Sequence, residues 1–561
     1  MSRLFKTHNI RKTFSQNGLW EFKTDPNREG ETQKWYIDFP KDCTSMMVPS
    51  CWNNEMGFYE YEGIAWYHTN FTTGSQNIEL SFGAVTGSAK VFLDGMLLGN
   101  HYGGFTEFHF VVTNLELGNH SLTVMIDSAS GKDTIPLPRV DWYHYGGIIR
   151  DVMVSELKDV LIEQFHIKYE LDNDVQNAIV NIDLKLTNLD SGRKQVPVKV
   201  YLNDALVLEQ AVSVSGTEQF ALEHIQVNGV SLWDIGQPNL YTVRIETSND
   251  DLIDRIGFRK IEIKDRRFLL NGKEIYIKGV NRHEEHPEWG FAFPQKLMKK
   301  DIDIIKKLGC NAIRGSHYPN SKAFLDYLDC EGLLFWSEIP MWGYPEDALK
   351  NPVIIERGLQ MHREMVEQYF NHPSIIIWGL HNEIDTRCEA GLIITKTFYK
   401  TLKSLDNSRL ITFATDKILD DICLHYADFI SINKYHGWYE GGIDRWPGFL
   451  EKVEEKLKKE GLEDVPVVMS EFGAAAIYGN RTYENIKWTE EYQANLFDYT
   501  MRLFHDSPLI NGTYLWQFCD IRTAKEMGND RARGFNNKGI LNEYRKPKTA
   551  CDVVTRIQSE F

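Results

Sequence analysis

The sequence predicts a three-domain chain, two β-sandwiches followed by a (β/α)8 barrel, and three observations predict it. Short β-like runs separated by Gly, Asn and Asp clusters fill residues 1–156. Strict period-two alternation marks residues 157–263, and apolar runs alternating with amphipathic helices mark residues 264–561. At 561 residues the chain also exceeds what a single core usually serves, so several domains are expected on size alone.

The first region contains runs such as Ile78 to Val85 and Ser121 to Asp127, which read as strands of a jelly-roll-like sandwich. In the second, Val180, Ile182, Leu184 and Leu186 alternate with Asn181, Asp183, Lys185 and Thr187, and Val196, Val198, Val200 and Leu202 repeat the pattern. Successive side chains of a strand point to opposite faces, so this alternation describes half-buried antiparallel strands, and the length suits an immunoglobulin-like sandwich.

In the third region Met298, Ile302 and Ile305 share one helical face, which Gly309 ends in a C-cap position. Eight candidate strands follow one another there: Tyr276 to Asn281, Ala312 to Ser316, Leu334 to Glu338, Ile375 to Leu380, Leu410 to Ala414, Phe429 to Asn433, Val467 to Ser470, and Gly512 to Trp516. Eight strands alternating with helices predict a closed barrel, in which polar residues just after each strand converge on one mouth.

Composition narrows the function. Hydrophobic content of 42%, charged content of 25% and 14 Trp describe a soluble globular chain. A formal charge of −17 argues against nucleic acid and anionic membrane as partners, since both require a basic face. Met1 to Ile10 carries no apolar run of signal length and no 18-residue apolar span occurs, so a cytoplasmic location is expected. The eight cysteines (43, 51, 310, 330, 388, 423, 519 and 551) lack zinc-ligand spacing and read as buried thiols.

The fourth candidate strand is an apolar stem that ends abruptly in Asn382 and Glu383, and the seventh ends the same way in Glu471. Two carboxyl groups at one barrel mouth can cleave a glycosidic bond with retention if they stand about 5 to 5.5 Å apart. One must then hold a proton while its neighbour stays ionised, which burial and like charge arrange. Glu383 is assigned as acid/base and Glu471 as nucleophile, with Asn382 placed to bond the sugar 2-hydroxyl. No metal and no cofactor are expected, because the carboxylate pair supplies both functions.

These residues resemble glycoside hydrolase family 2, and the resemblance spans all three domains. Trp233-Asp234-Ile235-Gly236-Gln237-Pro238-Asn239-Leu240-Tyr241 and Gly279-Val280-Asn281-Arg282-His283-Glu284 are similar to family signatures. Within the family, Asn382-Glu383-Ile384-Asp385-Thr386-Arg387, Asn433-Lys434-Tyr435-His436-Gly437-Trp438-Tyr439 and Asn536-Asn537-Lys538-Gly539 are most similar to bacterial β-glucuronidase motifs. The resemblance implies hydrolysis of β-D-glucuronides, with Asn536 and Lys538 reading the sugar carboxylate; without it, Asn536 to Gly539 is a polar turn of the kind usually left to solvent.

It further implies that Asp141 and His317 bind substrate, that Tyr435 holds the nucleophile, and that Asn433, Tyr439 and Trp516 contact or wall the sugar. A role for Asp141 would bring the first sandwich over the barrel mouth. The sequence departs from the pattern at Ile384, where Pro is usual, and at Phe472, where Tyr often stands. The arginine near the carboxylate-reading motif is displaced, leaving Arg531 and Arg533 as candidates; Arg533 is chosen. The short stretch from Glu338 to Asn371 leaves no room for the long active-site loop of some gut bacterial relatives, so an open site suited to larger aglycones is expected. A homo-oligomer is implied by the family. The alternatives are a β-galactosidase or β-galacturonidase of the same family, or a non-catalytic carbohydrate-binding protein.

Overall fold

The computed structural model describes residues 3–561 and contains two sandwiches and a closed eight-stranded parallel barrel. In the first sandwich a sheet of Lys12–Ser15, Val152–Leu157, Asn77–Phe82 and Phe108–Val112 faces a six-stranded sheet whose centre is Ile64–Thr73 and Gly118–Asp127. Trp20, Phe22, Trp52, Tyr67, Leu80 and Val124 fill the space between the sheets. The second sandwich sets Val160–Leu171, Asn177–Asn188 and Thr217–Asn228 against Ala205–Val214, Lys194–Leu202, Tyr241–Glu246 and Asp251–Ile256. Its alternation is expressed directly: Val180, Ile182, Leu184 and Leu186 point into the core with Val196, Val198 and Val200.

The barrel strands are β1 (Ile277–Asn281), β2 (Ala312–Gly315), β3 (Leu334–Glu338), β4 (Ile375–Asn382), β5 (Leu410–Thr415), β6 (Ile430–Asn433), β7 (Val467–Glu471) and β8 (Ile510–Leu515). They pair in parallel around the ring, and β8 closes on β1. Their residues are almost all buried, as expected for strands covered on both faces. An antiparallel ribbon, Ile261–Lys264, Arg267–Leu270 and Lys273–Ile275, packs Phe268 and Leu270 onto the strand starts. The bottom of the barrel is therefore plugged, and the opposite end is left for chemistry.

Two features position that end. Residues Phe105, Ile135, Val140, Trp142, Tyr143 and Tyr145 of the first sandwich belong to the same hydrophobic cluster as the barrel residues Ile313, Tyr318 and Leu515. A long segment of the first domain is thus folded into the barrel's own core. Ion pairs tie the domains further, with Arg11 2.7 Å from Asp250, both buried, and the partly buried Arg150 3.1 Å from Glu284. The stretch after β3 holds only the short helix Glu346–Leu349 before the helix Pro352–Tyr369, so no long loop covers the mouth.

Candidate active site

A cavity of about 220 Å³ opens at the C-terminal ends of the strands and is lined by both Glu383 and Glu471. Glu383 follows β4 directly and adopts φ +53°, an uncommon conformation for a side chain other than Gly or Asn. The chain thereby turns out of the strand one residue after Asn382 and delivers the carboxyl to the mouth. Strain of this kind persists only where its surroundings enforce it, and here Glu383 N–H donates to the Ala414 carbonyl at 2.9 Å.

Glu471 is held from two sides. Tyr435 Oη donates to Oε2 at 2.6 Å and Arg314 Nη1 donates to Oε1 at 3.0 Å. Arg314 also grips Glu338 through Nε and Nη2 at 3.0 and 2.9 Å, and donates to Asn382 Oδ1 at 2.7 Å. Asn433 Nδ2 reaches Glu383 Oε1 at 2.8 Å and Asn382 Oδ1 at 3.1 Å. With its oxygen engaged in this way, Asn382 keeps a buried Nδ2 without a partner among the described residues, although Asn382 is not itself among the residues that line the cavity.

The electrostatics separate the two acids. Burial pushes the Glu471 carboxyl up to about 7, against the opposing pull of Arg314 and Tyr435. Burial raises Glu383 well above the usual carboxylate range, and the charges of Glu471 and Asp416 raise it further while Asn433 opposes. Both effects favour the protonated form of Glu383 over that of Glu471, the direction an acid/base role for Glu383 requires. We expect a bell-shaped pH profile of kcat/KM, with the acid limb near the titration of Glu471 and the alkaline limb set by Glu383. Asp416→Asn removes one negative charge facing Glu383, so its alkaline limb moves to lower pH while the acid limb stays; a profile unchanged on both sides would refute the assignment.

The other end of the cavity is built from distant parts of the chain. Asp141, from the first sandwich, lines it together with Arg531, Lys538, Tyr439 and Trp516. Lys538 is 3% exposed; its Nζ donates to Tyr439 Oη at 2.6 Å and lies 4.8 Å from the centre of that ring. Arg531 clamps Asp141 through Nε at 2.6 Å and Nη2 at 2.5 Å. Burial alone would raise Asp141, but the hydrogen bond and charge of Arg531, with Lys538 nearby, hold it below its ordinary value. The segment around Lys538 is pinned from beneath: Lys548 Nζ donates to the Asn537 carbonyl at 3.1 Å and to Asp520 at 2.8 Å, and Asp520 accepts from Gly539 N–H at 3.0 Å.

The structure corrects one expectation and redefines two others. Arg533, expected to serve the carboxylate-reading group, carries an exposed side chain bonded to Glu543 and Asn537, and it is Arg531 that faces the cavity. Arg533 has φ +63° within a 3-10 turn, which sends the two arginines in different directions. Asn536 does not line the cavity; its Nδ2 donates to Asp141 Oδ2 at 3.0 Å, so it acts on the site through that carboxylate. His317 is fully buried beneath the site, with Nδ1 2.6 Å from Glu338 and its ring stacked on Trp516 at 5.2 Å. Burial, then Arg314, push it well below the usual imidazole range, so it is neutral.

Arg314, Trp342 and Asp416 also belong to the site and were not singled out in the sequence. Arg314 lies inside an apolar strand, where a charge signals an obligatory partner. Elsewhere, Asp326, Asp329 and His372 cluster, but Asp326 accepts from Arg3 and Asp329 from Ser374 N–H, which makes the group an ion-pair anchor for the chain start.

Two buried carboxyls at the C-terminal mouth of a (β/α)8 barrel, lining one cavity of about 220 Å³, are the arrangement that glycosidases use. The chain belongs to glycoside hydrolase family 2: the family's TIM barrel domain matches residues 261–561, its central domain residues 160–259 and its sugar-binding domain residues 13–158. It is 27% identical to a β-glucuronidase of Paenibacillus borealis, covering 96% of this chain and 95% of that one. It is 34% identical to the crystal structure of a family 2 β-galacturonidase from Eisenbergiella tayi bound to galacturonate, with a TM-score of 0.94 over 100% of this chain and 99% of that chain. A β-glucuronidase from Ruminococcus gnavus in complex with D-glucaro 1,5-lactone is 27% identical, with a TM-score of 0.89 and 99% of each chain covered.

Proposed function

We propose that this glycosidase is a retaining exo-β-hexuronidase, releasing a terminal β-linked uronic acid from its aglycone. The observation that carries the reading is the ammonium of Lys538, buried at the wall of the same small cavity as Glu383 and Glu471, with Arg531 beside it. A buried cation has a strong demand for an anionic partner, and the C6 carboxylate distinguishes a uronic acid from a neutral hexose. The buried Asp141 and Trp516 wall that end, which suits a terminal ring.

In the first step the Glu471 carboxylate attacks the anomeric carbon while the bond to the leaving oxygen breaks and Glu383 gives that oxygen its proton. In the second, Glu383 takes a proton from water, whose oxygen displaces Glu471 from the sugar. Tyr435 and Arg314 hold Glu471 in line throughout.

Of the two C4 epimers, galacturonide is the one we place first. The 34% identity to a galacturonidase exceeds the 27% to the glucuronidases. Glucuronide is the second reading, favoured by the motifs around Glu383, Tyr435 and Lys538. The test is a set of 4-nitrophenyl β-glycosides of galacturonic acid, glucuronic acid, galactose and mannose. Highest kcat/KM on either uronide supports the hexuronidase reading, and the ratio of the two assigns the epimer; highest kcat/KM on a neutral hexoside refutes it.

A further inference from the structure

We propose that a cleft at the closed end of the barrel, between the second sandwich and the turn that precedes β5, is a non-catalytic binding site for an acidic saccharide, a chain segment that carries carboxylates on successive rings. The cleft holds about 710 Å³ against 220 Å³ for the catalytic cavity and shares no lining residue with it. Pro373, in its wall, lies just before β4, whereas Glu383 follows the other end of that strand. At about 3.3 Å per residue the strand sets the cleft about 25 Å from the acid/base, so the two sites are separate.

Charge marks the cleft. The described residues that line it include five cations, Lys168, Arg259, Lys260, Lys403 and Arg409, against two acids, on a chain whose formal charge is −17. Four of the cations have an acid of their own: Lys168 pairs with Asp183 at 2.6 Å, Lys260 with Glu262 and Lys403 with Asp428 at 2.7 Å, and Arg409 with Asp406 at 2.6 Å. Arg259 is 4% exposed and has no acid within ion-pair reach among the described residues. Its Nε donates to the Pro373 carbonyl at 2.9 Å and its Nη2 to the Ile375 carbonyl at 2.6 Å, where Arg409 Nε also donates at 2.8 Å. Two guanidinium groups thus meet at one neutral oxygen. Burial, then the charge of Arg409, push Arg259 down to about 10, and an anion that enters beside the two relieves both effects.

The layout of the walls selects the occupant. The five cations sit on three separate segments: the strand Val160–Leu171, the stretch after Asp251–Ile256, and the end of the helix Glu389–Leu405 with the turn that follows it. A single compact anion needs donors that converge on it, whereas charges dispersed in this way match an anion repeated along a chain. Ser404, Asn407 and Ser408 are exposed at the rim and offer partners to hydroxyls. The apolar remainder of the wall, chiefly Ile167, Tyr169, Leu171 and Phe370, suits the C–H face of a pyranose ring.

The test is calorimetric titration of the full chain with α-linked tri-galacturonic acid, with neutral maltotriose and with inorganic phosphate, repeated on the double variant Lys168→Ala/Lys260→Ala. Both lysines are exposed, so the variant is expected to fold, which its circular-dichroism melt checks. Tri-galacturonic acid is expected to bind, with a Kd raised about tenfold in the variant, and maltotriose to give no binding heat. Absence of binding, or a Kd for tri-galacturonic acid that is the same in both proteins, overturns the cleft as its site. Phosphate that binds as tightly as tri-galacturonic acid and is weakened equally by the substitutions overturns the saccharide as occupant and leaves a small-anion site. The titration does not involve bond cleavage, so failure to hydrolyse any uronide would remove the hexuronidase reading without touching this one.

Discussion

Replacing Glu471 by Gly is expected to lower kcat on any uronide by about 10⁶-fold, the order of loss seen when a covalent nucleophile is deleted. The size follows from what the carboxylate has to do: on the proposed mechanism, the intermediate cannot form without it. Added azide distinguishes the two acids. In Glu471→Gly it can attack the anomeric carbon directly from the vacated side, giving a glycosyl azide of inverted configuration. In Glu383→Ala it attacks the covalent intermediate instead, and the product retains configuration. Should Glu471→Gly keep its rate, or should the two variants give azides of the same configuration, the role assignment would be sunk.

The second large effect is expected at Lys538. Truncating one partner of a buried, hydrogen-bonded charge pair costs about 2–5 kcal/mol. Lys538→Ala should therefore lower kcat/KM on a uronide by about 30- to 4,000-fold, since each 1.4 kcal/mol is a factor of ten. Galactoside hydrolysis, having no carboxylate to lose, should change far less, so the preference for uronide over hexoside collapses. The measurement is the ratio of kcat/KM on matched nitrophenyl uronide and galactoside; equal losses on both would show that Lys538 holds the loop and does not read the carboxylate. Its hydrogen bond to Tyr439 and the backbone pins from Lys548 and Asp520 make that control necessary.

How much of this was legible in the sequence depends on what kind of pattern encodes each part. Parallel strands buried on both faces leave apolar runs, so all eight barrel strands could be placed from runs such as Ile375 to Leu380. Glu383 and Glu471 stood out because each ends such a run. The same rule applied strictly would have found Asp416, one residue after β5, and Lys434, one after β6. Arg531 was a different matter. The segment from Lys525 to Gly534 is a pair of 3-10 turns with positive φ at Gly528 and Arg533, so no period relates residue number to direction. Two arginines two positions apart there point to opposite surroundings, and only coordinates tell which faces the sugar. Arg314 was hidden for the opposite reason: it sits inside a strand whose neighbours are apolar, and its partners Glu338, Asn382 and Glu471 come from three other strands.

The clamp between Asp141 and Asn536 joins residues 395 positions apart in the chain. During synthesis the first sandwich leaves the ribosome before the groups that are to hold Asp141 have been made. At 5–20 residues per second the interval is roughly 20 to 80 s. For that time the nascent chain carries an acid and an aromatic loop with nothing to rest on. The Asp141 end of the catalytic cavity is therefore completed only after Arg531, Asn536 and Lys538 have been made, so the site is among the last parts of the molecule to form.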